Sequence, residues 1–175
     1  MVIWITGISG SGKTTIAKAL VKRLKFSIPE IINIDGDEVR ELFGSKLGYD
    51  KQSRIKQIKR IQRLCLLLDK QNIVVLASAL YADDELLKWN RENYSEYYEV
   101  YLNASLQLVK DRDPKGIYNR ANKGLERNVV GIDIAWKAPK KPDLMVNCTK
   151  NKSVEEIIDK VINLIPKLKQ HSIYE

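Results

Sequence analysis

Two short stretches hold the residue types and spacings that could do chemistry. Gly7-Ile8-Ser9-Gly10-Ser11-Gly12-Lys13-Thr14 fits the phosphate-loop pattern G-x-x-x-x-G-K-[ST] in full. Glycines let the backbone bend so that successive N–H groups point inward at phosphate oxygens, and a helix N-terminus adds a favourable potential for anions. Gly10, Ser11, Gly12, Lys13, Thr14 and Thr15 are therefore expected to hold a nucleoside triphosphate, ATP. Lys13 would reach the β- and γ-phosphates, and the Thr14 hydroxyl would ligate Mg²⁺. The plainer reading, a glycine turn followed by an ordinary lysine, does not account for the whole pattern lying between a strand and a helix.

The second stretch is Asp35-Gly36-Asp37-Glu38-Val39-Arg40. Phosphoryl transfer needs in-line positioning, a metal, charge neutralisation and a group that orients the nucleophile. Asp37 could accept a hydroxyl proton or hold the metal through water, with Asp35 as second carboxylate. Arg40 could clamp an anionic acceptor bidentately. Alone, the stretch would read as a helix cap with a solvent-facing arginine. Behind a phosphate loop, the catalytic reading takes precedence.

The surrounding sequence supplies the elements that must position these groups. Apolar runs at Val2–Thr6, Ile31–Ile34, Ile73–Ala79, Glu99–Leu102 and Asp143–Val146 read as strands. Helical spacing recurs over Lys13–Lys25, about 52–70, Glu85–Asn93 and 105–111, and behind a capping box at Ser153–Glu156. Strands alternating with helices predict an α/β, three-layer P-loop fold: a five-stranded parallel sheet with helices on both faces. Strand two is expected beside strand one. Residues 112–142 are rich in charge, glycine and proline, and read as a mobile lid within a single kinase domain spanning 1–175. The polar tail after Pro166 is expected to fray.

Composition narrows the function. Of 175 residues, 44% are hydrophobic and 30% charged, a globular balance. The net charge of +8 suits phosphate-bearing ligands or a solvated lysine surface. Lys56, Lys59, Arg60 and Arg63 cluster at helical spacing without interleaved aromatics, so no nucleic-acid partner is expected. Cys65 and Cys148 are far apart and read as buried thiols, and the lone His171 argues against histidine chemistry. No stretch reads as a signal peptide or membrane span, so a cytoplasmic protein is expected. The strand-three run ends without an aspartate of the usual magnesium-orienting kind, and Asn151-Lys152 continues as Ser153-Val154 rather than a guanine-reading motif. Both features favour a small-molecule kinase over a switching NTPase, the remote alternative.

Further segments make the reading specific. Leu47-Gly48-Tyr49 is followed by Ser53-Arg54-Ile55-Lys56-Gln57-Ile58-Lys59-Arg60-Ile61, then Arg112-Asp113-Pro114-Lys115-Gly116-Ile117-Tyr118, then Gly131-Ile132-Asp133 and Pro139. With the two stretches above, this order and spacing resembles adenylyl-sulfate kinases from residue 2 to about 146. The resemblance implies transfer of the ATP γ-phosphate to the ribose 3′-hydroxyl of a nucleotide bearing a 5′ diphosphate-like group. On matching positions, Lys13 and Thr14 would hold ATP and Mg²⁺, with Arg112 on the ATP side. Asp37 would activate the hydroxyl and share the metal. Arg40, Arg54, Gln57 and Lys115 would meet the acceptor, Tyr49 would pack on its base, and Arg112–Tyr118 would open a lid that excludes water. A homodimer is implied by the resemblance alone.

Departures from the family pattern fall on the acceptor side. The asparagine after the first arginine of the long-helix motif is Gln57. An Ile-Ser-Pro-Tyr-Arg segment reads Ser78-Ala79-Leu80-Tyr81-Ala82, and Ile134-Ala135-Trp136-Lys137 replaces Asp-Pro-Tyr-Glu. The phenylalanine that stacks on the acceptor adenine is Val129. Base–aromatic stacking is worth about 1–3 kcal/mol, so its loss disfavours a purine acceptor. The pattern resembles the cytidine diphosphoramidate kinase branch, which serves bacterial capsule phosphoramidate pathways. Cytidine 5′-diphosphoramidate is the favoured acceptor, with adenylyl sulfate as the alternative.

Overall fold

Burial of both faces of the first strand already dictates a sandwich. The computed structural model describes residues 1–44, 47–80, 83–148 and 152–171. In β1 (Val2–Thr6) all residues are buried, Ile3 and Ile5 in one apolar cluster and Val2 and Trp4 in another. A strand buried on both faces must be covered on both sides, as parallel sheets are. The partners are β2 (Ile31–Asp35), β3 (Val74–Ala79), β4 (Tyr97–Ala104) and β5 (Leu144–Cys148), all parallel, in the order β2-β3-β1-β4-β5.

One face is packed by α1 (Lys13–Leu24), α7 (Val154–Leu164) and α8 (Pro166–His171), through residues such as Ile16, Leu20, Ile158, Val161 and Leu168. The other is packed by α2 (Gly36–Leu42), α3 (Lys51–Asp69) and α4 (Asp84–Asn93), through Val39, Ile58, Ile61, Leu86 and Leu87. Helix α7 starts with the capping box read from sequence: Ser153 Oγ accepts from the Glu156 amide and the Glu156 carboxylate accepts from Ser153 N–H. Both cysteines are buried free thiols, and burial raises Cys65 to about 12.

Two expectations are revised. Strand β2 does not lie beside β1; β3 is inserted between them, and Ser78 pairs in register with both Ile5 and Asp35. A right-handed strand–helix–strand crossover can skip one place, and the later β3 fills it. The segment after Pro166 is not frayed through its described part, because α8 forms and Leu168 is fully buried against the core. The excursion after α5 (Leu106–Arg112) is built around α6 (Ile117–Asn122) and anchored by the buried Tyr118, Val129 and Val130. Tyr81 and Asn151 lie outside the described residues.

The C-terminal ends of β1, β2 and β3 point the same way, so the loops after them meet at one edge. That edge is where ligands bind open parallel sheets.

Candidate active site

Residue types in the loop after β1 set its shape. Gly10 and Gly12 hold positive φ angles of 78° and 101°, where a side chain would be strained. Gly12 is the N-cap of α1 and offers no side-chain cap, so the first amides of the helix remain open to an anion. Lys13 Nζ curls back to donate to the carbonyls of Gly7 (2.8 Å) and Ile8 (3.0 Å). Burial lowers its pKa to about 8 from an ordinary 10.5; Asp37 and Asp35 pull it up, and Lys115 adds to the depression. A buried lysine whose charge is under-compensated is prepared for a polyanion.

The Thr14 hydroxyl donates to Asp35 Oδ2 at 2.6 Å, bridging the loops after β1 and β2 across the intervening strand. Asp35 Oδ1 meanwhile accepts from the Asp37 amide at 2.9 Å as the N-cap of α2. One carboxylate therefore both caps a helix and faces the phosphate loop. Asp37 is exposed and ion-paired with Lys115, which comes from the excursion. Burial pushes Lys115 down, but the hydrogen bond and charge of Asp37 outweigh it and hold the ammonium above its ordinary value.

Arg40 is not solvent-facing: it is 8% exposed, and its Nη1 donates to the carbonyls of Leu47 (2.8 Å) and Gly48 (3.0 Å). Its guanidinium lies 4.6 Å from the Tyr49 ring centroid, and that of Arg54 lies at 5.6 Å. Two cations thus flank one aromatic, an arrangement with cation–π attraction that also concentrates positive charge. Arg54 Nη2 donates to the carbonyl of Asn128 at 2.6 Å, tying α3 to the excursion.

A cleft of about 1040 Å³ joins these groups. It is lined by Gly10, Ser11, Gly12, Lys13, Thr14 and Thr15 at one end and by Asp37, Arg40, Tyr49, Arg54 and Gln57 at the other. Arg112, Lys115 and Val129 close it. The volume exceeds the common range of about 300–1,000 Å³ for single small-molecule sites. The site residues anticipated from sequence, Asp35 included, all line this one cleft.

Two contributors escaped the sequence reading. Tyr118 Oη donates to the carbonyl of Ser9 at 3.0 Å, pinning the excursion onto the phosphate loop. Asp133 accepts from the backbone amides of Asn128 and Val129, fixing the turn in which Asn128 takes a φ of 63°. Tyr118 and Asp133 were visible as motif members, but only the fold shows what they hold.

The parallel sheet, the phosphate loop and the carboxylate pair beside it define a P-loop kinase. The chain belongs to the adenylylsulphate kinase family, which it matches over residues 1–147. It is 36% identical over 162 residues to a Campylobacter jejuni protein named cytidine diphosphoramidate kinase, covering 92% of this chain and 94% of that one. It is also 36% identical over 167 residues to an adenylyl-sulfate kinase of Picosynechococcus, covering 95% and 93%. Among solved structures, it is similar to the APS kinase of Mycobacterium tuberculosis in complex with AMPPNP and APS, with a TM-score of 0.85 and 31% identity over 93% of this chain and 95% of that one. Among the described residues, no helix is long and apolar enough to cross a membrane.

Proposed function

We propose that the protein transfers the γ-phosphate of ATP to the ribose 3′-hydroxyl of a 5′-modified nucleotide, with cytidine 5′-diphosphoramidate as the favoured acceptor. The observation that carries the reading is the meeting of Lys13, Thr14, Asp35, Asp37 and Lys115 in one cleft. Lys13 and the amides at the start of α1 bind the triphosphate; Arg112 lines the same cleft and adds positive charge. The oxygens of Thr14 and Asp35, with Asp37 near them, form a hard donor set that fits Mg²⁺, which would neutralise charge on the phosphates. Arg40 and Arg54 hold the acceptor's anionic 5′ group, and Tyr49 packs on its base.

In the transfer, Asp37 takes the proton of the attacking 3′-hydroxyl as the new O–P bond forms and the β,γ-bridging P–O bond breaks, releasing ADP. Lys115 must leave Asp37 for this to happen. Lys115 lines the same cleft as the phosphate loop, so the γ-phosphate would offer it a second anion and ATP arrival would free the base. Residues 112–142 then act as the lid that keeps water out. A homodimer remains part of this reading, testable by light scattering.

Val129 in place of a stacking phenylalanine and Gln57 in place of asparagine support a changed acceptor. The equal identity to an adenylyl-sulfate kinase, and the APS in the Mycobacterium complex, favour adenylyl sulfate as the second reading. An acceptor screen with ATP and Mg²⁺ decides between them. The proposal expects ADP release that depends on cytidine 5′-diphosphoramidate and a 3′-phosphorylated product. Turnover with adenylyl sulfate alone would transfer the assignment to the second reading, and nucleotide hydrolysis indifferent to any acceptor would end both.

A further inference from the structure

Gln57 occupies one of the positions where this chain leaves the family pattern, and its surroundings leave one atom unserved. The side chain is 5% exposed and lines the cleft. Its Nε2 donates to the carbonyl of Gly36 at 3.0 Å. Because a carbonyl can only accept, this contact fixes which end of the amide is nitrogen. The other end, Oε1, is buried and has no hydrogen-bond partner among the described residues. A buried acceptor left unpaired is costly, and a native site normally provides a donor for it.

No donor among the described residues meets Oε1, so its partner is a bound ligand or a water, and in a cleft shaped for nucleotides a ligand group is the one that can be selected. Gln57 lies one helical turn after Arg54 on α3, on the same face, and so beside the group that Arg54 holds. A sulfate end presents only acceptor oxygens there. A phosphoramidate end of the same shape and charge presents an N–H₂ group, which donates.

We propose that Gln57 is a specificity-determining residue that reads a hydrogen-bond donor on the acceptor nucleotide. This rests on the acceptor site described under the proposed function. The donor can be the phosphoramide nitrogen or the exocyclic amine of the base, and both share the chemistry that Oε1 requires. Asparagine, one methylene shorter, cannot keep the Gly36 contact from the same backbone position; its amide is free to turn and present either end. The pinned glutamine presents an acceptor only.

The test is equilibrium binding by calorimetry in the presence of AMPPNP, using cytidine 5′-diphosphoramidate, cytidine 5′-phosphosulfate and uridine 5′-diphosphoramidate. The first pair keeps the charge and tetrahedral shape of the 5′ end and exchanges a phosphorus-bound amine for a sulfur-bound oxygen. The first and third differ in the base amine. We expect the phosphosulfate to bind the wild-type protein about 10- to 100-fold more weakly than the diphosphoramidate, the range for one buried polar group left unpaired. Gln57→Asn and Gln57→Met should each bring that ratio to within about threefold.

If the loss appears instead with the uridine nucleotide and vanishes in both variants, Gln57 reads the base amine and its donor-reading role stands. Equal binding of all three nucleotides by the wild type overturns the proposal. So does a preference that survives in both variants, or no binding of any of the three. Folding of each variant is checked by its affinity for AMPPNP alone, and if Gln57→Met is unfolded, Gln57→Asn decides. Phosphate transfer is measured separately on the same nucleotides. Selective binding without transfer would sink the kinase reading and leave the donor-reading site intact; transfer without selectivity would do the reverse.

Discussion

Lys115, 78 residues away in sequence, is ion-paired with Asp37, so the group assigned to accept a proton is covered by a lysine from the segment assigned as the lid. Both side chains are more than half exposed, which leaves the pair easy to break. A proton acceptor whose charge is compensated is a weaker base, so the order of arrival matters. On the proposed mechanism, the triphosphate draws Lys115 away before Asp37 acts.

Removing the carboxylate tests that role directly. Asp37→Asn is expected to lower kcat by about 10²- to 10⁴-fold, the usual span for one general base, with AMPPNP affinity changed little. Steady-state kinetics and calorimetry on the same variant give the two numbers. A kcat within a few-fold of wild type would remove Asp37 from the reaction.

The depressed Lys13 predicts a proton-linked binding step. Between about 8 and its ordinary 10.5, Lys13 is largely neutral in the free protein. Phosphate contact favours the ammonium, so triphosphate binding near pH 9 should take up to about one proton from solution. Affinity should accordingly fall as pH rises above about 8. Calorimetry in buffers of different ionisation enthalpy measures the uptake, and Lys13→Met should abolish it.

Tyr118→Phe deletes one hydroxyl that joins the excursion to Ser9. The ring stays packed, so the loss of stability should be about 0.5–1.5 kcal/mol, the net worth of one intramolecular hydrogen bond. Because the bond ends on the phosphate loop, the KM for ATP should rise more than the KM for the acceptor. Thermal unfolding with paired KM measurements checks both parts.

Gly131 holds a φ of 94°, and a Cβ there would stand 2.8 Å from Ile8 Cδ1 and 3.0 Å from Leu106 Cδ1. Gly131→Ala therefore adds backbone strain to crowding, a cost of about 1–3 kcal/mol. Because Ile8 belongs to the phosphate loop, AMPPNP affinity should fall together with the unfolding temperature. An unchanged affinity would separate this turn from the nucleotide site.

The phosphate loop, the carboxylate stretch and the strand–helix alternation were all legible along the chain, because each is a local matter. A glycine turn, a cap and an apolar period depend on residues a few positions apart. The capping box at Ser153 is such a case, and it formed as read. What escaped was long-range. Nothing near β2 in sequence says that β3 will come between it and β1. Polar composition suggested a loose end after Pro166, yet a single leucine, Leu168, found a buried place and made α8 part of the core.

By itself, then, the sequence determined that a phosphate-binding turn, two carboxylates and a set of arginines exist on a parallel α/β scaffold. Only the tertiary structure decided their partners: Thr14 with Asp35, Asp37 with Lys115, Arg54 with Asn128 and Gln57 with Gly36. The reason is physical. Local signals fix backbone conformation over a few residues, whereas the hydrogen bond or ion pair a side chain makes depends on which distant segments the packed core brings within about 3 Å.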